Sequence, residues 1–427
     1  MVLEQGEGQV RDRSAVELFA GGGGLAMAVH RAGFRPLLFN EFAKRACETL
    51  ASNGAERVPE GGVPWIPEPG EAWPLIEGDV RGVDFEYLAG RVDVLAGGPP
   101  CQPFSLGGVA KGDEDERNMF PQMFRAIREM RPRAVICENV RGLLRPSFKP
   151  YFEYILREME LPFEERLENV TWQEHDAVLR ERIMEAGDAS RRYQVIVTPV
   201  NAADYGVPQI RQRIIIVAFR ADLGVDIERF KRLTEPTFSE AALIRSMMEG
   251  DYWDRHNVPE QVKKRVLERL PNVLPVADGK RPWRTLRDAI AGIEGIEGCE
   301  KPLPPVPAEW LDRQEHYLGG FRDHIGWPDA RIYPGHTPNE LDRPAKTVKA
   351  GVHGVPGGES VMMLDDGTHR YMTVRETARV MTFPDDWKLQ GPRGEKMRQL
   401  GNAVPVLLGE VFAEAVADAL DEAERRS

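Results

Sequence analysis

Ala15-Val16-Glu17-Leu18-Phe19-Ala20-Gly21-Gly22-Gly23-Gly24 is a short apolar run ended by four glycines, and Leu25–Ala32 follows with helical spacing up to Gly33. Strand, tight turn and helix in that order open a βαβ unit. The alternation continues downstream. Strands are predicted over Pro36–Phe39, around Leu75–Val80, over Val92–Ala96 and over Ala134–Cys137, with helical stretches between them. Such a pattern implies an α/β fold with a mostly parallel, Rossmann-like sheet. Polar residues cluster just past the strand ends, at Asn40-Glu41, Asp79, Gly97-Gly98-Pro99-Pro100-Cys101 and Glu138-Asn139. Open α/β sheets bind their ligands beyond those ends.

Further along, 151–192 is charged and helical, with apolar positions at Tyr151, Phe152, Ile155, Leu156 and Met159, and is expected to form a surface insertion. Gln194–Val200 and Ile214–Phe219 are expected as two strands making an antiparallel edge. Past Arg220 periodicity weakens and Pro, Gly and charge rise. The expected division is therefore 14–220, a smaller irregular unit over 221–345, and a return segment over 346–427 whose last helix begins after Gly401-Asn402-Ala403-Val404-Pro405.

The 427 residues are 42% hydrophobic and 29% charged, with a net charge of −12. That balance argues against nucleic-acid binding through overall charge but leaves room for a local basic surface. Residues 255–287 hold nine Lys/Arg against three Asp/Glu, and Arg343, Lys346 and Lys349 form a second basic group. The four cysteines are scattered with no CxxC pair. No metal site or disulfide framework is expected, and a reducing cytoplasm suits them. Met1–Ser14 is polar and charged rather than signal-like, and no apolar run reaches membrane-spanning length. A soluble cytoplasmic protein is expected.

At the first turn, Phe19, Gly21, Gly23 and Gly24 would let backbone approach a ligand closely. Glu41, at the next strand end, stands where a carboxylate accepts from ribose hydroxyls, and Asp79, one strand on, could accept from an adenine amino group. Phe42, Val80 and Pro99 flank these positions. Helix capping is the alternative role for Glu41 and Asp79. Two acids with no neighbouring basic cluster favour S-adenosylmethionine over NADP. A dinucleotide site would share the turn but would leave the second motif unused. In that motif Cys101 has prolines at −2, −1 and +2, which fix φ and hold the thiol stiffly, as a nucleophile needs.

Phe19–Gly24, Gly97–Ser105, Glu138-Asn139-Val140, Gln209-Ile210-Arg211-Gln212-Arg213 and Gly401–Pro405 occur in this order, and together they resemble the DNA (cytosine-5) methyltransferases. Arg370–Trp387, with Thr373-Val374-Arg375-Glu376 and Phe383-Pro384, resembles the block that precedes that family's last motif. The resemblance implies an S-adenosylmethionine-dependent methyltransferase sheet, with 221–345 as a target-recognition domain. It implies Cys101 as the thiolate that adds to cytosine C6, Glu138 as the group holding N3, and Arg211 and Arg213 near the cytosine O2. Asn402 and Val404 would complete the cofactor pocket. Ser105–Asn118 resembles the family's catalytic loop, so Gln102, Ser105, Lys111 and Arg117 would meet DNA, together with Gln209, Arg343 and Lys346. The implied partners are duplex DNA, from which the target base is flipped, and a paired restriction endonuclease. A monomer associated with the nucleoid is expected. An RNA methyltransferase and a catalytically inactive binding protein are the competing readings.

Overall fold

Central strands apolar on both faces, with more polar strands at the edges, pair into a single eight-stranded sheet in the computed structural model, which describes residues 13–100, 118–306, 317–325, 330–332, 337–350 and 360–426. They are β1 (Arg13–Leu18), β2 (Phe34–Glu41), β3 (Ala55–Arg57), β4 (Trp73–Glu77), β5 (Val94–Gly97), β6 (Ala134–Val140), β7 (Tyr193–Asn201) and β8 (Gln212–Arg220). The helices are α1 (Gly24–Arg31), α2 (Lys44–Ala51), α3 (Phe120–Met130), α4 (Lys149–Glu160), α5 (Trp172–Ile183), α6 (Ile227–Leu233), α7 (Glu240–Glu249), α8 (Asp251–Arg255), α9 (Glu260–Leu267), α10 (Leu286–Ala291), α11 (Val374–Val380), α12 (Arg393–Asn402) and α13 (Val406–Arg426).

Strand order is β3-β4-β2-β1-β5-β6-β8-β7. The first six pair in parallel. β8 is antiparallel to both β6 and β7. The expected antiparallel edge is therefore present, with one refinement: the chain runs to the outer edge as β7 and returns as β8 against β6. This brings Arg213 opposite Val140 at the end of β6 and opposite Val200 near the end of β7.

Alternate side chains of each central strand enter different cores, as a pleat requires. Val16, Leu18, Leu95, Val135 and Cys137 pack under α3 and α4, through Phe120, Phe124, Ile127, Phe152 and Ile155. Ala15, Val94, Ala96, Ile136, Ile215 and Val217 pack under α1 and α13, through Leu25, Val29, Phe412 and Val416. The two-faced burial is the mark of a parallel sheet covered on both sides. α13 crosses α1 closely because Gly409 has no side chain, and a Cβ there would stand 2.7 Å from the Ala28 Cβ.

Two expectations change here. Residues 151–192 do not form a surface insertion throughout, because α4 is one of the layers covering the sheet and buries Tyr151, Phe152, Tyr154, Ile155 and Met159. α5 packs outside it, started by a capping box between Thr171 and Glu174. Residues 221–345 do not share one core either. Phe238, Leu243, Met247, Tyr252, Trp253 and Trp283 cluster around Ala203. Leu286, Ala289 and Ile293 instead pack with Val348, Val374, Met381 and Leu400 from the return segment. Among the described residues no helix is long and apolar enough to cross a membrane.

Candidate active site

At the carboxyl end of β1 the backbone turns sharply. Phe19 takes a left-handed φ of 58°, unusual for a residue with a side chain. Gly23 follows at φ 88° and donates its N–H to Ala20 O over 3.0 Å. Gly24 starts α1 directly beneath the Val404 carbonyl, leaving no room for a Cβ. The predicted cofactor residues Phe19, Gly21, Gly23, Gly24 and Val404 thus lie in one small region. Asn402, beside them in sequence, is exposed.

Glu41 is buried at the end of β2. Its Oε2 accepts the Gly21 N–H at 2.7 Å and its Oε1 accepts the Ala43 N–H at 2.7 Å. It ties two strand ends together, and each oxygen keeps a second lone pair for a ligand. Phe42 beside it projects into solvent, 75% exposed. Asp79 is engaged differently. It caps the turn Val80–Gly82 through the Arg81 N–H at 2.9 Å and pairs with the Arg81 Nη2 at 2.6 Å. These bonds from Arg81 hold its carboxyl below the usual range. Capping is thus the role the geometry gives Asp79, while Val80 is buried.

Glu17 here escaped the sequence reading, and Asn40 was placed at its strand end without a role. Asn40 Nδ2 donates to Ile76 O and Gly78 O, both at 3.1 Å, locking β2 to the end of β4. Glu17 lies within β1, its Oε2 buried without a hydrogen-bond partner among the described residues. Burial, then the Glu41 charge, pushes its carboxyl well up. A carboxylate inside an otherwise apolar strand was the signal available for it.

On the other side of β1, β5 ends in Gly97, Gly98, Pro99 and Pro100. Cys101, Gln102, Ser105, Lys111 and Arg117 lie outside the described residues. The residues bordering that segment are tightly held. Asn139 Nδ2 donates to Pro99 O at 3.0 Å, and Asn118 Nδ2 donates to the Tyr151 hydroxyl at 2.6 Å. Glu138 stands over Gly98, where a built Cβ would be 3.6 Å from its Oε2. Arg213 Nε approaches Glu138 Oε1 to 2.8 Å, with both side chains largely buried. The N–H does not point along that contact, so among the described residues Oε1 receives no hydrogen bond. Glu138, Arg213 and the backbone leading into Cys101 therefore converge beside the glycine turn.

Arg211 and Gln209 require correction. Their alternation with Arg213 predicted one shared face on an extended strand, but β8 begins at Gln212 and 207–210 runs along the return segment instead. Ile210 N–H donates to Ala345 O at 2.8 Å and Ala345 N–H to Pro208 O at 2.9 Å. Arg211, 1% exposed, donates to Val348 O at 2.9 Å, Gly401 O at 2.8 Å and Ala403 O at 3.0 Å. It clamps the lead-in to β8 against 348 and 401–403, with its bonds given to backbone carbonyls. Gln209 is fully buried, its amide accepting the Val348 N–H at 3.0 Å and donating to Met381 Sδ at 2.9 Å. Its side chain is committed to the protein interior. Arg343 is exposed and Lys346 half-buried, but both are engaged, with Glu240 at 2.5 Å and with Thr337 Oγ1 at 2.6 Å.

The chain is similar to known proteins along most of its length. The family of C-5 cytosine-specific DNA methylases matches residues 14–161 and 167–418. The Type II methyltransferase M.PspPI of Psychrobacter sp. (strain TA137) is 30% identical over 97% of this chain and 81% of its own length. M.Eco47II of Escherichia coli is likewise 30% identical over 97% of this chain and 81% of its length. M.NgoMIV of Neisseria gonorrhoeae is 28% identical over 95% and 98%. Among solved structures, the S. pombe Dnmt2 methyltransferase superposes with a TM-score of 0.52 at 15% identity, covering 96% of this chain and 99% of that one. A Spodoptera frugiperda DNMT2 mutant gives 0.53 at 14%, over 95% and 99%. Both share its fold. The chain belongs to the C-5 cytosine-specific DNA methylase family and is a DNA (cytosine-5-)-methyltransferase.

Proposed function

We propose that the enzyme uses S-adenosylmethionine to methylate C5 of a cytosine turned out of duplex DNA, through a covalent bond between Cys101 and C6. The observation that carries this reading is the convergence of Glu138 and Arg213 with the Gly98–Pro100 backbone beside the glycine turn. The cofactor side fits a cationic nucleoside. It offers the Glu41 carboxyl bonded to the turn, while Asp79 nearby is taken up by the Arg81 side chain. A pyrophosphate would meet the Glu41 charge as repulsion. Phe19–Gly24, Glu41, Phe42 and Val404 would hold the cofactor, which when bound supplies an electrophilic methyl group.

The remaining chemistry belongs to the chain. C5 of cytosine is a weak nucleophile until a thiolate adds at C6 and makes it enamine-like, which is covalent catalysis of the ordinary kind. Cys101, directly after Pro99-Pro100, supplies the thiolate. Glu138 holds a proton at N3 so that the ring accepts electrons as C6 is attacked. Arg213 steadies that carboxyl and adds positive potential, which favours the thiolate. Once C5 carries the methyl group, loss of its proton re-forms the C5–C6 double bond and expels Cys101. The relatives named Type II methyltransferases support a modification enzyme paired with a restriction endonuclease.

The test is incubation of the full chain with tritium-methyl S-adenosylmethionine and either duplex DNA or tRNA. Label recovered as 5-methyldeoxycytidine from the duplex is expected. Label confined to tRNA, or found on the exocyclic nitrogen of cytosine, would overturn the reading.

A further inference from the structure

Trp387 touches the glycine turn although it lies far from it in sequence. Its indole Nε1–H donates to Gly22 O at 3.0 Å. Its ring fills the space above Gly23, where a Cβ would stand 2.6 Å from Trp387 Cζ2. The peptide joining these glycines is therefore held from both sides, its oxygen by the indole and its N–H by Ala20 O at 3.0 Å. Gly21, one residue earlier, is fixed by Glu41. The indole has its own support. Arg375, 1% exposed, donates to Pro384 O at 3.0 Å and to Trp387 O at 3.3 Å, so the turn that carries the ring is rigid.

We propose that Trp387 is a positioning residue for S-adenosylmethionine, holding the Gly22–Gly23 peptide in the conformation that the bound cofactor requires. This rests on the proposed use of that cofactor. Glycine peptides lose more conformational freedom on ordering than any others. A turn ordered in advance spares the cofactor that cost, and one left loose charges it to binding. The loss should fall on affinity and leave the chemical step alone, since Glu138 and Arg213 occupy other strands.

The test measures S-adenosylhomocysteine binding to the full chain and to Trp387→Phe by titration calorimetry, together with single-turnover methylation at saturating cofactor. The variant is expected to bind roughly ten-fold more weakly, the cost of ordering about one residue, with an unchanged turnover rate once saturated. Equal binding by variant and wild type would overturn the assignment. So would parallel losses of affinity, saturated rate and thermal midpoint, which mark a merely structural role. Failure of the wild type itself to bind would count against the proposed cofactor instead. Should the variant not fold, amide exchange in the free wild-type enzyme decides. Slow exchange at Gly23 N–H supports a preformed turn, and exchange at the rate of an unstructured peptide refutes it.

Discussion

Replacing Arg211 by methionine is expected to loosen the joint between the β8 lead-in, the 345–348 segment and the α12–α13 junction, without removing a contact to the target base. The guanidinium makes three hydrogen bonds to buried backbone carbonyls, those of Val348, Gly401 and Ala403. Methionine fills a similar volume but leaves all three oxygens unpaired. At about 1–3 kcal/mol each, the orphaned carbonyls together cost roughly 3–9 kcal/mol. Part is returned, because among the described residues no carboxylate is bonded to this buried cation, and its removal relieves several kcal/mol of desolvation. A net loss of about 3 kcal/mol remains after that offset. Urea unfolding of Arg211→Met should register it, and amide exchange should localise it to Ala345 and Ala403, whose N–H groups bond to Pro208 O and Gln399 O. Residual methyl transfer should follow the fraction folded. An unchanged unfolding midpoint and exchange pattern, with methylation lost by orders of magnitude, would refute this reasoning and return Arg211 to the cytosine.

Glu138→Gln keeps the shape of the side chain but cannot cycle a proton at N3, so single-turnover methylation should fall by about 10²–10⁴ while S-adenosylhomocysteine binding persists; near-normal rates would remove its role. Glu158, buried on α4, is pushed up to about 7 by desolvation. Its folded state holds the proton more tightly than the unfolded chain, so stability is fully present below about pH 4.5 and is lost as pH rises through 7. Relative to Glu158→Gln, wild-type stability should fall by about 3 kcal/mol over that window and level off above it; parallel urea midpoints across the range would contradict this.

The glycine turn and five of the six parallel strands could be read from residue order, because apolar runs and glycines are local signals; β3, the three residues Ala55–Arg57 with two of them exposed, carries no such run. What could not be read was where strands end once a neighbour pairs with them. Glu138-Asn139-Val140 looked like a loop after Cys137, yet β8 pairs as far as Val140 and places Glu138 within the sheet. The same effect misled the reading of Gln209 and Arg211. Their period of two is that of a strand, but their partners are residues 345–348 and 401–403, more than a hundred positions away. Asp79 shows a local failure. The Arg81 that neutralises it is only two residues on, and capping through that neighbour outweighs its strand-end position. Charge told little about the α4 segment, because its apolar stripe faces the sheet while most of its charged residues, Glu158 excepted, lie outside that stripe.

The central claim is the covalent Cys101–C6 bond, and it is tested most directly by duplex DNA carrying 5-fluorocytosine with tritium-methyl S-adenosylmethionine. Fluorine at C5 cannot leave as a proton, so expulsion of the thiol is blocked after methylation. The account predicts a labelled protein–DNA adduct stable to denaturing electrophoresis and absent from Cys101→Ser. Methyl transfer to ordinary duplex by a wild-type enzyme that forms no such adduct, or an adduct formed equally well by Cys101→Ser, would contradict it.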